Sequence, residues 1–468
     1  MKNLILLLIF TCSATWTSAQ FTLTGTFSNT KGNRYEIFLK NIKPDSEAQS
    51  AEQWKVSSDA KDAFKLKIPL SEADFFNMSI IVHRADGNKS NYNYTLYVQP
   101  QKKLHLSFSG RDQMGLTALY ESIKDNNNKA LFNLNEKSAQ QLSSLYKAKI
   151  DSSALKNGLS NLLEVAIQAA NTKGIAAPVK DYLLMQGYNQ YISNLYRFGM
   201  DYKISLQDSA FYKLPEGASW YFNHELFNSF YEAPSNLING LDIALGLKPY
   251  TRKKTLAQLA EQIELLTLKT SNPTVKNLII ERLLNQYVNA YKADKDFEKD
   301  LELFSVLADK VTNTESQASL ITSFKNLKYM LVGAPWPAVK VQDAAGNWIN
   351  LDQFKGKYLF VDLWASWCGP CIKMTPYVQQ LEEKFKQHNI TFVAISIDNQ
   401  ADKWKAKMKE LKLEQHQYID VKGELAKQLN VTGIPHYLLY SPEGKLLIYK
   451  TDMPNNPKLE EILSGFLK

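Results

Sequence analysis

Cysteine is scarce in this chain, which has three cysteines, Cys12, Cys368 and Cys371, among 468 residues. A small domain held together by disulfides needs more, so a disulfide scaffold is excluded. A structural zinc site with four cysteine ligands is excluded for the same reason. The six histidines show no spacing typical of metal ligands, and we expect no bound metal.

Long runs of one charge are also absent. Lysine and arginine number 55 against 47 acidic residues, which gives a formal net charge of +8 at pH 7. No run of like charges reaches five residues, and no basic stripe alternates with aromatic side chains, so we expect no nucleic acid partner. Hydrophobic residues make up 44% and charged residues 22%, which is typical of a folded globular protein. At roughly 150 residues per domain, the length predicts about three domains.

The N-terminus has the pattern of an export signal. A basic start precedes an unbroken apolar run, Leu4 to Phe10, and small and polar residues follow up to Ala19. This pattern predicts a signal peptide over residues 1–19, cleaved after Ala19 or Gln20, and a location in the periplasm or cell envelope. Two alternatives stay open, a retained membrane anchor and lipidation of Cys12, although the apolar run is much shorter than the roughly 20 residues of a membrane span.

Residues 20–115 have the pattern of β-strands. Phe64, Leu66 and Ile68 alternate with lysines, and residues 104–108 repeat this alternation. A period of two is typical of strands that are buried on one face. Since turn-rich segments separate the strands and no helical pattern intervenes, we predict an antiparallel β-domain resembling a sandwich.

Residues 116–330 have a helical period instead. Thr255 and Gln258 have the spacing of a capping box, in which two side chains bond the free N–H groups of a helix start. Asn272 and Pro273 are a typical N-cap followed by a proline in the first turn. We predict an α-helical domain over this range.

Residues 331–468 alternate between strand and helix patterns after a proline-rich boundary at 332–337. Such alternation predicts an α/β sheet with helices on its faces. The predicted order is strand 358–364, helix 370–387, strand 391–397, helix 403–413 and a hairpin of strands 436–440 and 445–450.

The chemistry is concentrated in residues 367–371, Trp-Cys-Gly-Pro-Cys, where a buried strand gives way to a helix. Cysteines at i and i+3 on a first helical turn lie on one side, close enough for a disulfide. Free backbone N–H groups and the helix dipole favour the thiolate of Cys368. Three other interpretations stay open, and one of them, a fortuitous spacing of the cysteines, is disfavoured by the position between a strand and a helix. Half of a zinc site would lack its other ligands, and a static disulfide between Cys368 and Cys371 would constrain the unfolded chain very little.

These residues resemble a known family. Residues 361–371 closely resemble the active-site segment of thioredoxin, and residues 431–435 resemble the loop whose cis-proline faces the dithiol. The frame over residues 333–357, together with the added lysine-rich helix at 403–413, is similar to the TlpA/ResA-like branch of exported thiol-disulfide oxidoreductases. The resemblance implies a thioredoxin-like fold over residues 331–468.

The resemblance also implies roles for single residues. Cys368 would attack a substrate disulfide and Cys371 would resolve the mixed disulfide, so the redox-active Cys368–Cys371 pair serves in place of a cofactor. Asp362 matches the buried carboxylate beneath the dithiol, where burial raises an acid's pKa and lets it accept the Cys371 proton. The alternative for Asp362 is a half-exposed acid at a strand end.

The remaining candidate residues would bind the substrate. Trp367, Gly369 and Pro370 flank the cysteines, and Ile434 precedes Pro435, whose cis peptide bond would expose backbone groups for pairing with a substrate peptide. A trans proline in a turn is the alternative for Pro435.

The sequence departs from the family pattern at two positions and differs from thioredoxin at a third. Met374 stands where ResA-like proteins often have a glutamate, and Asp362 supplies a carboxylate that they commonly lack. His436 follows the cis-proline, where thioredoxin has a small polar residue, and it is a further candidate for binding the substrate. His436 is interpreted either as an imidazolium that favours the thiolate or as an ordinary strand residue.

We therefore expect an exported thiol-disulfide oxidoreductase that reduces protein disulfides. The resemblance implies disulfide-containing protein substrates, with apocytochrome c as one candidate, and a membrane thiol electron donor.

Two alternative functions belong to other classes of protein. One is a peroxiredoxin-like peroxidase, although the threonine typical of a peroxidatic site is missing before Cys368. The other is an envelope binding protein whose redox domain is ancillary.

Overall fold

The computed structural model describes residues 20–28, 32–42, 53–84, 86–111, 115–119, 122–147, 151–230, 232–249, 251, 253–292, 296–413 and 416–467. The predicted signal peptide, with Cys12 and Ala19, lies outside the described residues. Within these ranges, no helix combines the length and the apolar character that crossing a membrane requires. The chain divides into two compact units, one of residues 1–251 and 265–276 and the other of residues 252–264 and 277–468.

The N-terminal strands of the first unit form two four-stranded sheets, with the orders β4-β1-β7-β8 and β3-β2-β5-β6. Alternate side chains of both sheets are buried in one apolar core, where Phe27 stacks on Tyr35 with 3.8 Å between ring centroids. The strands are β1 Gln20–Ser28, β2 Arg34–Asn41, β3 Gln53–Ser57, β4 Ala63–Pro69, β5 Asp74–His83, β6 Lys89–Val98, β7 Lys103–Arg111 and β8 Gly115–Ala118.

The prediction of an antiparallel β-domain is only partly right. β1 pairs antiparallel with β4, but it pairs parallel with β7, so that Leu23 lies opposite Leu104. The period of two reveals which side chains are buried, and it is the same whichever way a strand runs. The strand direction was therefore not contained in the pattern that predicted the strands.

Helices follow the strands. Two predicted helix starts are confirmed: the Thr255 and Gln258 side chains each accept the other's backbone N–H, and Asn272 accepts the N–H of Thr274 and Val275 at the start of α8. The helices are α1 Asn126–Lys147, α2 Ser152–Ala170, α3 Ala177–Asp201, α4 Ser209–Tyr212, α5 Ala218–Asn223, α6 Ala233–Ala244, α7 Leu256–Lys269, α8 Pro273–Ala290, α9 Phe297–Ala308 and α10 Thr314–Asn326.

A seven-stranded sheet follows in the second unit, in the order β10-β9-β13-β12-β11-β14-β15. β11 lies inside the sheet, parallel to β12 and antiparallel to β14. The elements are β9 Lys340–Asp343, β10 Trp348–Asn350, β11 Tyr358–Trp364, α11 Gly369–Phe385, β12 Ile390–Ser396, α12 Ala401–Leu411, β13 Gln417–Ile419, α13 Glu424–Gln428, β14 His436–Tyr440, β15 Leu446–Ile448 and α14 Pro457–Phe466.

β11 is buried on both faces because each face has its own apolar cluster. Leu359, Val361 and Leu363 belong to one cluster, and Phe360 belongs to the other, with side chains of α11 and α14. Since side chains alternate along a strand, Asp362 lies on the same face as Phe360. The fold thus carries this carboxylate into the layer between the sheet and α11.

Candidate active site

The two cysteines of the Trp-Cys-Gly-Pro-Cys segment lie at the start of α11, directly after β11. Cys368 is the N-cap residue, and its Sγ accepts the backbone N–H of Cys371 at 3.2 Å. The two residues are joined by a disulfide, with 5.3 Å between their Cα atoms, and each is 4% exposed. A backbone N–H aimed at the sulfur favours the negatively charged thiolate over the neutral thiol.

The residues around the cysteines reach the surface. The Trp367 side chain is 67% exposed, and Gly369 and Pro370 are exposed as well. Pro370 lies in the first turn of α11, where a missing N–H removes no helical hydrogen bond. An exposed aromatic ring beside a buried sulfur pair is suited to contact with a partner molecule.

A second loop, which contains residues 434–435, lies directly before β14 and beside the cysteine pair. The peptide bond between Ile434 and Pro435 is cis, which confirms the cis prediction for Pro435. Ile434 is partly buried and packs against the apolar cluster that contains Cys368 and Cys371. The structure therefore brings residues 434–435 and the cysteines together, although they are distant in sequence.

Asp362 is partly buried, and one of its two carboxyl oxygens is enclosed. Its Oδ1 is buried and accepts no hydrogen bond from the described residues. Burial raises the pKa of Asp362 to about 7, because a charged carboxylate loses its hydration there. A carboxyl group with this pKa gains and loses its proton near neutral pH, as a proton acceptor requires.

Tyr437 lies directly across from Asp362, in the register of β11 and β14. Its ring is 1% exposed, and its hydroxyl is buried without a hydrogen-bond partner among the described residues. Burial raises the pKa of Tyr437, and the charge of Asp362 raises it further. The phenol therefore stays neutral beside the carboxyl group.

His436 is 5% exposed and has a structural contact. Its Nε2 lies 2.8 Å from the backbone carbonyl of Tyr449, which can only accept, so Nε2 donates. Burial lowers the pKa of His436 and favours the neutral ring. His436 pairs with Leu363 and so lies on the face opposite Asp362. These contacts favour the interpretation of His436 as a strand residue.

Helix α12 packs against the dithiol, a contact that the sequence did not predict. Trp404 and Met408 are buried in the same apolar cluster as Cys368 and Cys371. Residues four positions apart lie on one side of a helix. The spacing does not show which residues this side of the helix contacts, because the contact joins segments more than 30 residues apart.

A second feature missed from the sequence is the contact of Asp398 with Ser366. Asp398, which follows β12, is 2% exposed and accepts both the backbone N–H and the hydroxyl of Ser366. A lone acid after a strand carries no spacing signal, so no pattern could have identified it.

A buried cysteine pair at a helix N-terminus, a cis-proline loop against it and a carboxyl group in an interior strand of the sheet define a thioredoxin-like domain. The family model described as Redoxin matches residues 331–463. The thiol-disulfide oxidoreductase ResA of Bacillus cereus is 31% identical over 140 residues, which cover 30% of this chain and 81% of that protein. A crystal structure of the thioredoxin domain of a thiol-disulfide oxidoreductase from Bacteroides vulgatus has 30% identity and a TM-score of 0.28, covering 30% of this chain and 99% of its own.

The chain belongs to the TlpA/ResA-like thiol-disulfide oxidoreductases of the thioredoxin superfamily. The residues that the family model matches include Cys368 and Cys371.

Proposed function

We propose that this protein is an exported thiol-disulfide oxidoreductase that reduces disulfides in other proteins. The observation that carries the proposal is the position of Cys368 at the N-terminus of α11, with its Sγ accepting the N–H of Cys371. The Gly-Pro dipeptide between the cysteines, which resembles that of reducing thioredoxins, supports the direction of transfer.

The reaction exchanges one disulfide for another. The Cys368 thiolate attacks a sulfur of the substrate disulfide, which releases one substrate thiolate and forms a mixed disulfide. Cys371 then attacks Cys368, releases the second substrate thiol and closes the Cys368–Cys371 disulfide. Two electrons and two protons pass to the substrate in one cycle.

Asp362 supplies the proton acceptor in this proposal. Cys371 has to lose its proton before it can attack the mixed disulfide. The carboxyl group of Asp362, with its pKa raised to about 7 by burial, is matched to that transfer near neutral pH.

The substrate would bind across the exposed residues beside the sulfur pair. Trp367 offers its exposed ring, and Gly369 and Pro370 offer a surface with little side-chain bulk. The cis peptide at Pro435, together with Ile434, would present backbone groups that pair with an extended substrate segment.

The setting of the reaction is part of the proposal. Residues 1–19 would direct export to the periplasm or cell envelope, as the basic start and apolar run suggest. Since that compartment is oxidising, a membrane thiol donor would return electrons to the Cys368–Cys371 disulfide. Disulfide-containing proteins, with apocytochrome c as one candidate, would be the substrates.

The test is a Cys371→Ala variant expressed in cells and compared with Cys368→Ala. Without the resolving thiol, mixed disulfides on Cys368 should persist, and mass spectrometry should identify the attached proteins. Cys368→Ala should attach none, because it lacks the nucleophile. The purified wild-type protein should reduce insulin. The proposal fails if the Cys371→Ala variant, with Cys368 demonstrably reduced, captures nothing and wild-type protein leaves insulin oxidised while thioredoxin reduces it.

A further inference from the structure

Asp398 is a buried acid that the proposed reaction does not use. It is 2% exposed and lies two residues beyond the end of β12. Its Oδ2 accepts the backbone N–H of Ser366 at 2.8 Å and the hydroxyl of Ser396 at 2.6 Å, and its Oδ1 accepts the hydroxyl of Ser366 at 2.7 Å. Bonds to an acidic oxygen at such distances are stronger than those between neutral groups.

Ser366, which donates two hydrogen bonds to Asp398, lies next to the reacting groups in the sequence. Ser366 immediately precedes Trp367, and Cys368 follows. The backbone N–H of Cys368 donates to the carbonyl of Ala365 at 3.0 Å, so Ser366 lies inside a tight turn that ends at the nucleophile. The two loops are also joined where Ile397 N–H donates to the Trp364 carbonyl at 2.9 Å. Asp398 lies outside the turn between β11 and α11, and its hydrogen bonds to Ser366 restrict the conformation of that turn.

We propose that Asp398, acting through Ser366, is a positioning residue that holds Cys368 and Trp367 in their reactive arrangement. It touches neither sulfur. Its bonds restrict the turn so that the Cys368 sulfur stays in line with the N–H of Cys371 and the Trp367 ring stays at the surface beside it. The inference rests on the proposed function, because it names what positions the groups of that same site.

The physical argument concerns how many hydrogen bonds one side chain can accept. An ionised aspartate accepts through both oxygens, as the three bonds to Asp398 require. An asparagine at this position would keep one accepting oxygen and turn its NH₂ toward the Ser366 hydroxyl, which would have to change from donor to acceptor. The charge that strengthens all three bonds would also be lost. A turn released in this way would lose the alignment of the sulfur, and small misplacements of a reacting group reduce rates strongly.

The chain offers a matched control in Asp420. It is 3% exposed and also accepts three hydrogen bonds, from the backbone N–H groups of Glu424, Leu425 and Ala426 at the start of α13. Asp420→Asn should therefore lose stability for similar reasons. Since its bonds hold another helix, it should leave the turn before Cys368 unchanged.

The experiment compares full-length Asp398→Asn, Asp420→Asn and wild-type protein in two assays. The first is the pH profile of iodoacetamide alkylation of the reduced protein, which reports the thiolate and needs no substrate. The second is kcat/KM for insulin reduction. Asp398→Asn should move the alkylation profile to higher pH and lower kcat/KM about tenfold. Asp420→Asn should resemble wild type in both assays. An Asp398→Asn protein that is folded and matches wild type in both would overturn the inference.

Two variants of Ser366 test the same contact if Asp398→Asn does not fold. Ser366→Ala removes the hydroxyl bond and keeps the backbone bond, so it should show a smaller shift in the same direction. Ser366→Thr retains a hydroxyl and should restore the wild-type profile. Identical alkylation profiles for Ser366→Ala and wild type would refute the role of this contact. A wild-type protein that fails to reduce insulin would reject the proposed function alone, because the alkylation profiles still judge the positioning role.

Discussion

At the scale of single residues, the environment of Asp362 is the one with the clearest measurable consequence. The pKa of this group lies near its ordinary value of 3.8 in an unfolded chain and is raised to about 7 in the fold. Between these two values the folded protein binds more protons than the unfolded chain does. Stability therefore falls as the pH rises from about 4 to about 7, at most by about 1.4 kcal/mol per pH unit.

Asp362→Asn should abolish this pH dependence, because the amide has no charge to bury. We expect the oxidised variant to match wild type in its free energy of unfolding near pH 4 and to exceed it by roughly 2 to 4 kcal/mol at pH 8. Urea unfolding across this pH range measures the difference. Asp402→Asn, at an exposed acid of α12, should show no such trend. A difference that stays constant with pH would contradict the raised pKa.

The site residues that the sequence predicted best are those that lie close together in one short segment. Cys368, Cys371 and Pro370 share one short segment, so their spacing on a first turn was enough to place them. The cis form of Pro435 was predicted from the family resemblance. The contact of Asp398 with Ser366 joins residues 32 positions apart in sequence and depends on the parallel pairing of β11 with β12. Local spacing contains no record of such a pairing.

At the scale of elements, α12 combines a charged exterior with a buried contact at the dithiol. Its apolar side carries Trp404, which is 0% exposed, into the cluster with both cysteines. The lysines at 403, 405 and 409 are exposed. The sequence predicted a lysine-rich helix at 403–413. The parallel direction of β1 against β7 was missed, because alternation does not encode direction.

Trp404→Ala should lower the free energy of unfolding by about 3 to 5 kcal/mol, since it removes a large buried side chain and leaves a cavity. Trp348→Ala is the matched control, because that ring is 48% exposed. It should change stability by less than about 1 kcal/mol. Urea unfolding followed by circular dichroism measures both. Equal losses in the two variants would mean that α12 does not depend on its buried tryptophan.

At the scale of the whole molecule, the seven-stranded sheet beside the dithiol also contacts residues that precede the family match. Tyr329 is partly buried against the apolar cluster of Leu359 and Val361. The side chain of Asn430 also lies 3.9 Å from the sulfur of Met330, as a weak contact. The second compact unit likewise includes residues 277–330. The stability of the redox domain should therefore depend on the helical segment before it.

A fragment of residues 331–468 should be less stable than a fragment of residues 253–468. The loss should be about 1 to 3 kcal/mol, because the Tyr329 side chain no longer covers the apolar cluster. Urea midpoints of the two oxidised fragments measure this. The redox reaction itself should survive in both, since Cys368 and Cys371 are present. Coincident midpoints would show that the preceding helices add nothing to the sheet.

The small number of cysteines makes the redox state of this protein directly measurable. After removal of residues 1–19, the chain would hold Cys368 and Cys371 as its whole complement of sulfhydryl groups. A thiol-reactive tag then adds two mass increments to a reduced molecule and none to an oxidised one. Intact-mass spectrometry of the native sequence can therefore titrate the redox state of a population, with no cysteine replaced beforehand.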